Sequence, residues 1–107
     1  MHGYSFTIDF GQLGAPSFIG RDRGERARMK LNLAVEEQRC EKITVIVPEY
    51  VFTVSSSYFL GLFGESIKAA GSSDRFFQKF DFQCPDFLMH DFEKYVEITL
   101  QPNRPII

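Results

Sequence analysis

A chain of 107 residues with a formal charge of −2 and 44% hydrophobic residues has the size of one domain and an ordinary globular composition. The small net charge argues against a dominant electrostatic pull toward nucleic acid or anionic membrane, and no run of about 18 consecutive apolar residues offers a membrane-spanning helix. Twelve phenylalanines supply a core which, at roughly 25 cal/mol per Å² of apolar area buried, offsets chain entropy without staples.

The opening MHGYSFTIDFG has neither a charged n-region nor a continuous apolar h-region. No signal peptide is therefore expected, and a cytoplasmic location follows as the expectation. Within it YSFTIDF alternates, with Tyr4, Phe6, Ile8 and Phe10 on one face and Ser5, Thr7 and Asp9 on the other. That period of two predicts a strand buried on one face only. The glycine-rich stretch over 11–24 reads as a loop. From Glu25, the recurrence of Ala27, Leu31, Ala34 and Val35 predicts an amphipathic helix ending near Gln38, with Asp22 placed to cap its start. ITVIV, residues 43–47, is continuously apolar and β-branched, so a central strand covered on both faces is expected, stopped by Pro48.

A second helix follows from the spacing of Phe59, Leu62, Phe63, Ile67 and Ala70, with Gly71 as its C-terminal stop. FFQKFDF reads as a third strand, Phe76, Phe80 and Phe82 inward and Lys79 and Asp81 outward. Pro85 suits the first turn of a last helix carrying Leu88, Phe92, Tyr95 and Val96. VEITL alternates like a strand, which leaves the end of that helix open, and residues 101–107 read as a tail. Three strand–helix alternations predict an α/β fold with a small, mostly parallel sheet in one domain, its core spanning about 4–100. The serines over 55–57 then fall near the C-terminal end of the central strand, where such sheets keep their sites.

A buried strand, a short loop, serines at a helix start, an amphipathic helix and a further strand together resemble the STAS domain of anti-sigma factor antagonists. The closer resemblance, over residues 4–100, is to the STAS-like family of bacterial and phage proteins. There a glycine- and arginine-containing loop leads into a first helix, a central strand follows, and a Ser-Ser-Phe-Leu segment runs into Phe-Gly. Here those elements read GRDRGERARMKL, ITVIVP and SSSYFLGLFG. The resemblance implies a non-enzymatic regulatory module with no cofactor, binding an ATPase-type kinase or a sigma-regulating protein. In the antagonists an Asp-Ser pair before the second helix carries the serine that the partner kinase phosphorylates. The aligned serine is Ser55, with Val54 in place of the aspartate and Ser57 and Tyr58 in place of the glycine and leucine that follow. The candidate partner surface is Phe52, Thr53, Ser55, Ser56, Ser57 and Tyr58, with the serines as candidate phosphosites.

Physical chemistry alone gives those serines a simpler role as helix caps, worth roughly 1 kcal/mol. A phosphate at the same place would meet unpaired N–H groups and a partial positive charge. The only concentration of charge is the basic run Arg21, Arg23, Arg26, Arg28 and Lys30, interrupted by Asp22 and Glu25. It reads first as a solvated helix turn; its functional reading is a patch for an acidic partner, and the alternative function is nucleic-acid association through this segment. A catalytic triad would need His90, with Asp86 or Asp91, to meet a serine, but no G-x-S-x-G elbow exists and His90 lies off the apolar helix face. No metal site is expected from His2, Cys40, Cys84 and His90, which lack ligand spacing. The two cysteines, without a CxxC, read as reduced thiols. No phosphate loop is present. Gly61 and Gly64 each cost nearly 1 kcal/mol inside a helix, which points to the close approach of another backbone.

Overall fold

In the computed structural model, which describes residues 4–13 and 17–101, the alternating YSFTID forms strand β1 (Tyr4–Asp9). His2, residues 14–16 of the glycine-rich loop and residues 102–107 of the tail lie outside the described residues. The Asp9 carboxylate accepts the Gly11 N–H at 2.8 Å, turning the chain into a short 3-10 helix, Phe10–Gln12, that drops the Phe10 ring into the core. The segment read as one loop also holds a two-residue strand, β2 (Ser17–Phe18), and the true start of the first helix, α1 (Arg21–Leu31). Asp22 is not its cap. Gly20 occupies that position with φ 102°, a conformation that costs any residue with a Cβ.

The helix expected to run to Gln38 breaks at Asn32, which adopts φ 56° and starts α2 (Leu33–Arg39). Asparagine is among the few residues that take this left-handed conformation readily. The break rotates the next turn: Leu33 is fully buried, while Ala34 and Val35, expected inside, face solvent. Strand β3 (Cys40–Ile46) then lies at the centre of a three-stranded parallel sheet ordered β1-β3-β5, where β5 is Phe80–Gln83. The registers Phe6↔Ile43↔Phe80 and Ile8↔Val45↔Phe82 put the apolar side chains on one face. The other face carries Thr7, Thr44 and Asp81, exposed or half-exposed. The central strand is therefore covered on one face, not both, because the helices pack in a single layer.

That layer centres on α3 (Ser56–Ala70), flanked by α1 and by α5 (Asp86–Leu100). Pro85 sits one residue ahead of α5 rather than in its first turn, and VEITL is helical throughout. Rings pack within the helix layer and between it and the sheet. Phe59 stacks on Phe92 at 4.7 Å, and Phe63 meets Phe80 edge-on at 5.4 Å. FFQKFDF is not one strand: Ser72 accepts the Arg75 N–H and starts a helix, α4 (Ser73–Lys79), leaving only its end in β5. Phe76 and Phe80 nonetheless reach the core and stack at 4.8 Å. Lys79 turns inward, donating to the carbonyls of Glu37 and Cys40.

Gly61 has a packing reason within this chain. A Cβ there would lie 2.4 Å from the Arg21 carbonyl oxygen, and one at Gly24 would lie 2.2 Å from the Tyr58 carbonyl oxygen. The two glycines let α1 and α3 cross backbone to backbone. Gly64, with only Leu60 Cβ at 4.0 Å, has no such neighbour. The α/β class expected from the alternation is the class observed, with every strand pairing among the described residues parallel. No helix among them is long and apolar enough to cross a membrane.

Candidate functional site

Strand β4 (Thr53–Val54) pairs in parallel with β2, so Thr53, read as loop, is half-buried in a ladder opposite Ser17. The ladder delivers the chain to α3 in a fixed position. Ser55 N–H donates to the Phe18 carbonyl at 2.8 Å, and the Tyr95 hydroxyl of α5 donates to the Val54 carbonyl at 3.1 Å. Ser55 is the N-cap of α3, with extended backbone angles, and its Oγ accepts the Tyr58 N–H at 3.1 Å. The same oxygen accepts the Gly20 N–H at 3.4 Å and lies 3.2 Å from Ser57 Oγ. One hydroxyl thus ties together the first turns of α1 and α3. Glycine at position 20 brings no side chain to cap α1, and Ser55 supplies the acceptor from across the crossing.

Chemically, this corner favours negative charge, because helix N-termini present unpaired N–H groups and a partial positive end. It offers little to a nucleophile: the polar neighbours of Ser55 Oγ are two backbone N–H groups and a second hydroxyl, none of them a base. Ser56 is exposed and Ser57 half-buried. Ahead of β4, Phe52 is 61% exposed between the buried anchors Val51 and Val54, and Tyr50, just before Val51, is 58% exposed. Tyr58, expected at the partner surface, is buried instead. Its ring packs edge-on against Phe18 at 5.3 Å and Phe10 at 6.3 Å. Burial pushes its hydroxyl above the ordinary range, partly offset by the nearby Arg23 guanidinium.

The basic run divides. Arg28 turns inward, donating to the Leu62 carbonyl (2.8 Å), Ser66 Oγ (2.9 Å) and Glu37 Oε1 (2.9 Å). Ser66 Oγ, the buried polar side chain of α3, also donates to Glu37 Oε1. This cluster joins α1, α2 and α3 beside a cavity of about 320 Å³ that Arg75 and Lys79 also line. Arg21 stays exposed at the helix start. Arg23, Arg26 and Lys30 line a different groove, of about 370 Å³, between α1 and the outer edge of β1. Ala27, Leu31 and Leu13 form its apolar part, and Thr7, Asp9 and Gln12 its far wall.

Sequence reasoning found the capping serine and the exposed Phe52. It missed the groove wall on β1 and the Arg28–Glu37–Ser66 cluster. Ser66 carried a signal, lying three and four residues beyond Phe63 and Leu62 on the buried stripe, where a polar side chain needs a partner. His90 is exposed on α5 and forms no hydrogen bond with a serine among the described residues, in which no group of three or more potential metal ligands occurs. Both cysteines are free, Cys40 buried and Cys84 half-buried. Burial and the neighbouring Asp86 push the Cys84 thiol up to about 11. Comparisons with family models, with curated proteins and with solved structures return no match.

Proposed function

We propose that this chain is a non-enzymatic protein-binding module of the STAS-like kind, engaging a regulatory partner, such as an ATPase-type kinase or a sigma-regulating protein, at the start of α3. The observation that carries the reading is the exposed Phe52 ring beside the Ser55 cap. A large aromatic held out between two buried valines is an anchor of the kind that dominates interface energetics, and it stands next to a polar helix start receptive to charge. The surface comprises Phe52, Thr53, Ser55, Ser56 and Ser57, with Tyr58 supporting it from within. Phosphorylation at Ser55 would place a dianion where the first turns of two helices meet, changing the charge presented to the partner without removing the cap's acceptor oxygens. The alternative, nucleic-acid association, retains fewer cations on its face than the basic run promised, since Arg28 is spent on Glu37.

The test is affinity capture from a lysate of the source organism with wild type and Phe52→Asp side by side, after thermal melting has shown both folded. A partner held by wild type and lost by Phe52→Asp supports the reading. A partner held equally by both overturns the site.

A further inference from the structure

We propose that the groove between α1 and the outer edge of β1 is a docking site for an extended acidic segment of another protein, laid alongside β1. Three observations converge. β1 pairs with β3 on one side and, among the described residues, with no strand on the other, so its outer edge presents backbone donors and acceptors that an added strand can satisfy. Opposite that edge stand Arg23, Arg26 and Lys30, all exposed and none in an ion pair among the described residues. Between edge and cations lies the apolar strip of Leu13, Ala27 and Leu31.

The dimensions agree. From position 23 to 30 a helix rises about 10 Å, the length of roughly three residues of extended chain. A segment alternating apolar and acidic side chains would set one kind on the strip and the other toward the cations. Asp9 also lines the groove, but its carboxylate already accepts the Gly11 N–H, and three cations outweigh it. An extended polypeptide fits better than a nucleic acid, because a strand edge has hydrogen bonds for a peptide backbone and none specific to phosphates. The groove's aromatic, Tyr58, is buried, so bases find no exposed ring there on which to stack. This site stands independently of the one at Phe52, and its test uses no captured partner.

The experiment is fluorescence anisotropy with the full chain and a short labelled peptide of alternating Glu and Val. The comparisons are a Lys-Val peptide, the Glu-Val peptide N-methylated at alternate residues, and a single-stranded oligonucleotide of equal charge. Saturable binding of the Glu-Val peptide is expected, weakened about tenfold or more by N-methylation and by the combined change Arg23→Glu, Arg26→Glu, Lys30→Glu. All three side chains are exposed, so thermal melting should be unchanged; if the triple variant unfolds, Arg26→Gln alone carries the test with a smaller loss. In amide NMR spectra, shifts should appear at Thr7, Asp9 and Arg26. Failure to saturate, insensitivity to charge reversal or N-methylation, tighter binding of the oligonucleotide, or shifts confined to 52–57 would each overturn the proposal.

Discussion

Replacing Gly61 by alanine should destabilise the protein, although alanine is the better helix former. The new Cβ would lie 2.4 Å from the Arg21 carbonyl oxygen, 2.9 Å from the Glu25 nitrogen and 3.1 Å from Gly24 Cα, all backbone atoms that cannot rotate away. Restoring the 3.4 Å of ordinary contact means that α1 must retreat by about 1 Å. The retreat also stretches the 2.8 Å bond from Arg28 to the Leu62 carbonyl. Overpacking costs typically 1–3 kcal/mol, and three immovable backbone contacts put this site in the upper part of that range, about 2–3 kcal/mol, against a propensity gain of about 1 kcal/mol. The net loss is about 1–2 kcal/mol, and each kcal/mol lowers Tm by roughly 4–8 °C in a domain near this size. Gly64→Ala is the internal control, since its nearest neighbour is Leu60 Cβ at 4.0 Å; it should gain up to about 1 kcal/mol. Gly24→Ala should behave like Gly61→Ala, and the double variant should lose less than the sum, because one retreat of α1 accommodates both methyl groups. Urea unfolding followed by far-UV circular dichroism reads all four variants. A Gly61→Ala protein as stable as wild type would refute the backbone crossing.

Ser55→Ala removes the acceptor of both the Tyr58 and Gly20 N–H groups and should cost about 0.5–2 kcal/mol in the same assay; no loss would mean the cap is not formed. Arg28→Met leaves the Glu37 carboxylate, whose side chain is only 15% exposed, without its cation, and should cost about 1.5–3 kcal/mol, with Glu37→Gln losing less because the amide still accepts from Ser66. Wild-type stability in Arg28→Met would show the cluster to be incidental. Cys84, Tyr58 and Tyr95 all hold their protons more tightly than ordinary in the fold. The thiol's contribution is therefore complete below its usual 9.0 and is lost as pH climbs toward about 11, and that of the tyrosines is complete below their usual 10.0 and is lost only above it. Tm should hold up to pH 9 and fall above it, and alkylation of Cys84 by iodoacetamide should stay slow near neutrality; rapid alkylation there would contradict the raised thiol.

The parts of this fold legible in the sequence are those where several local signals agree. In α3 the cap at Ser55, the stripe through Phe59, Leu62, Phe63 and Ile67, and the stop at Gly71 all point one way, and the helix runs from Ser56 to Ala70. The β-branched centre of β3 was equally plain. Misreadings came where two periods fit one segment. Phenylalanines at 76, 80 and 82 satisfy alternation, while 76 and 80 also satisfy a helical turn, and the Ser72 cap decides for a helix up to Lys79. The break at Asn32 depends on a single left-handed residue that periodicity averages over.

The basic run shows how one boundary propagates. At about 100° per residue, positions 23, 26 and 30 fall on one helix face and 21 and 28 on the other. A helix started at Glu25 hides that division and leaves Arg28 with the surface, whereas α1 starts at Arg21 and turns Arg28 inward. Tyr58 was misplaced for a similar reason: it lies four residues before Leu62, on the same buried stripe. What no local pattern carries is the juxtaposition of separate segments. The meeting of Gly20 with Ser55, and of Thr7 with Arg23 across the groove, depends on the crossing of α1 over α3.

The central claim, protein binding regulated at the start of α3, is tested most directly by calorimetric titration of the captured partner into wild type and Ser55→Asp. Aspartate caps a helix well and suits its dipole, so the variant should melt with wild type. If the surface is a charge-switched interface, its affinity should fall by about tenfold or more, because the added carboxylate is desolvated against a face shaped for a neutral hydroxyl. Equal affinity of the two proteins for that partner would contradict the switch and leave Ser55 as a cap alone.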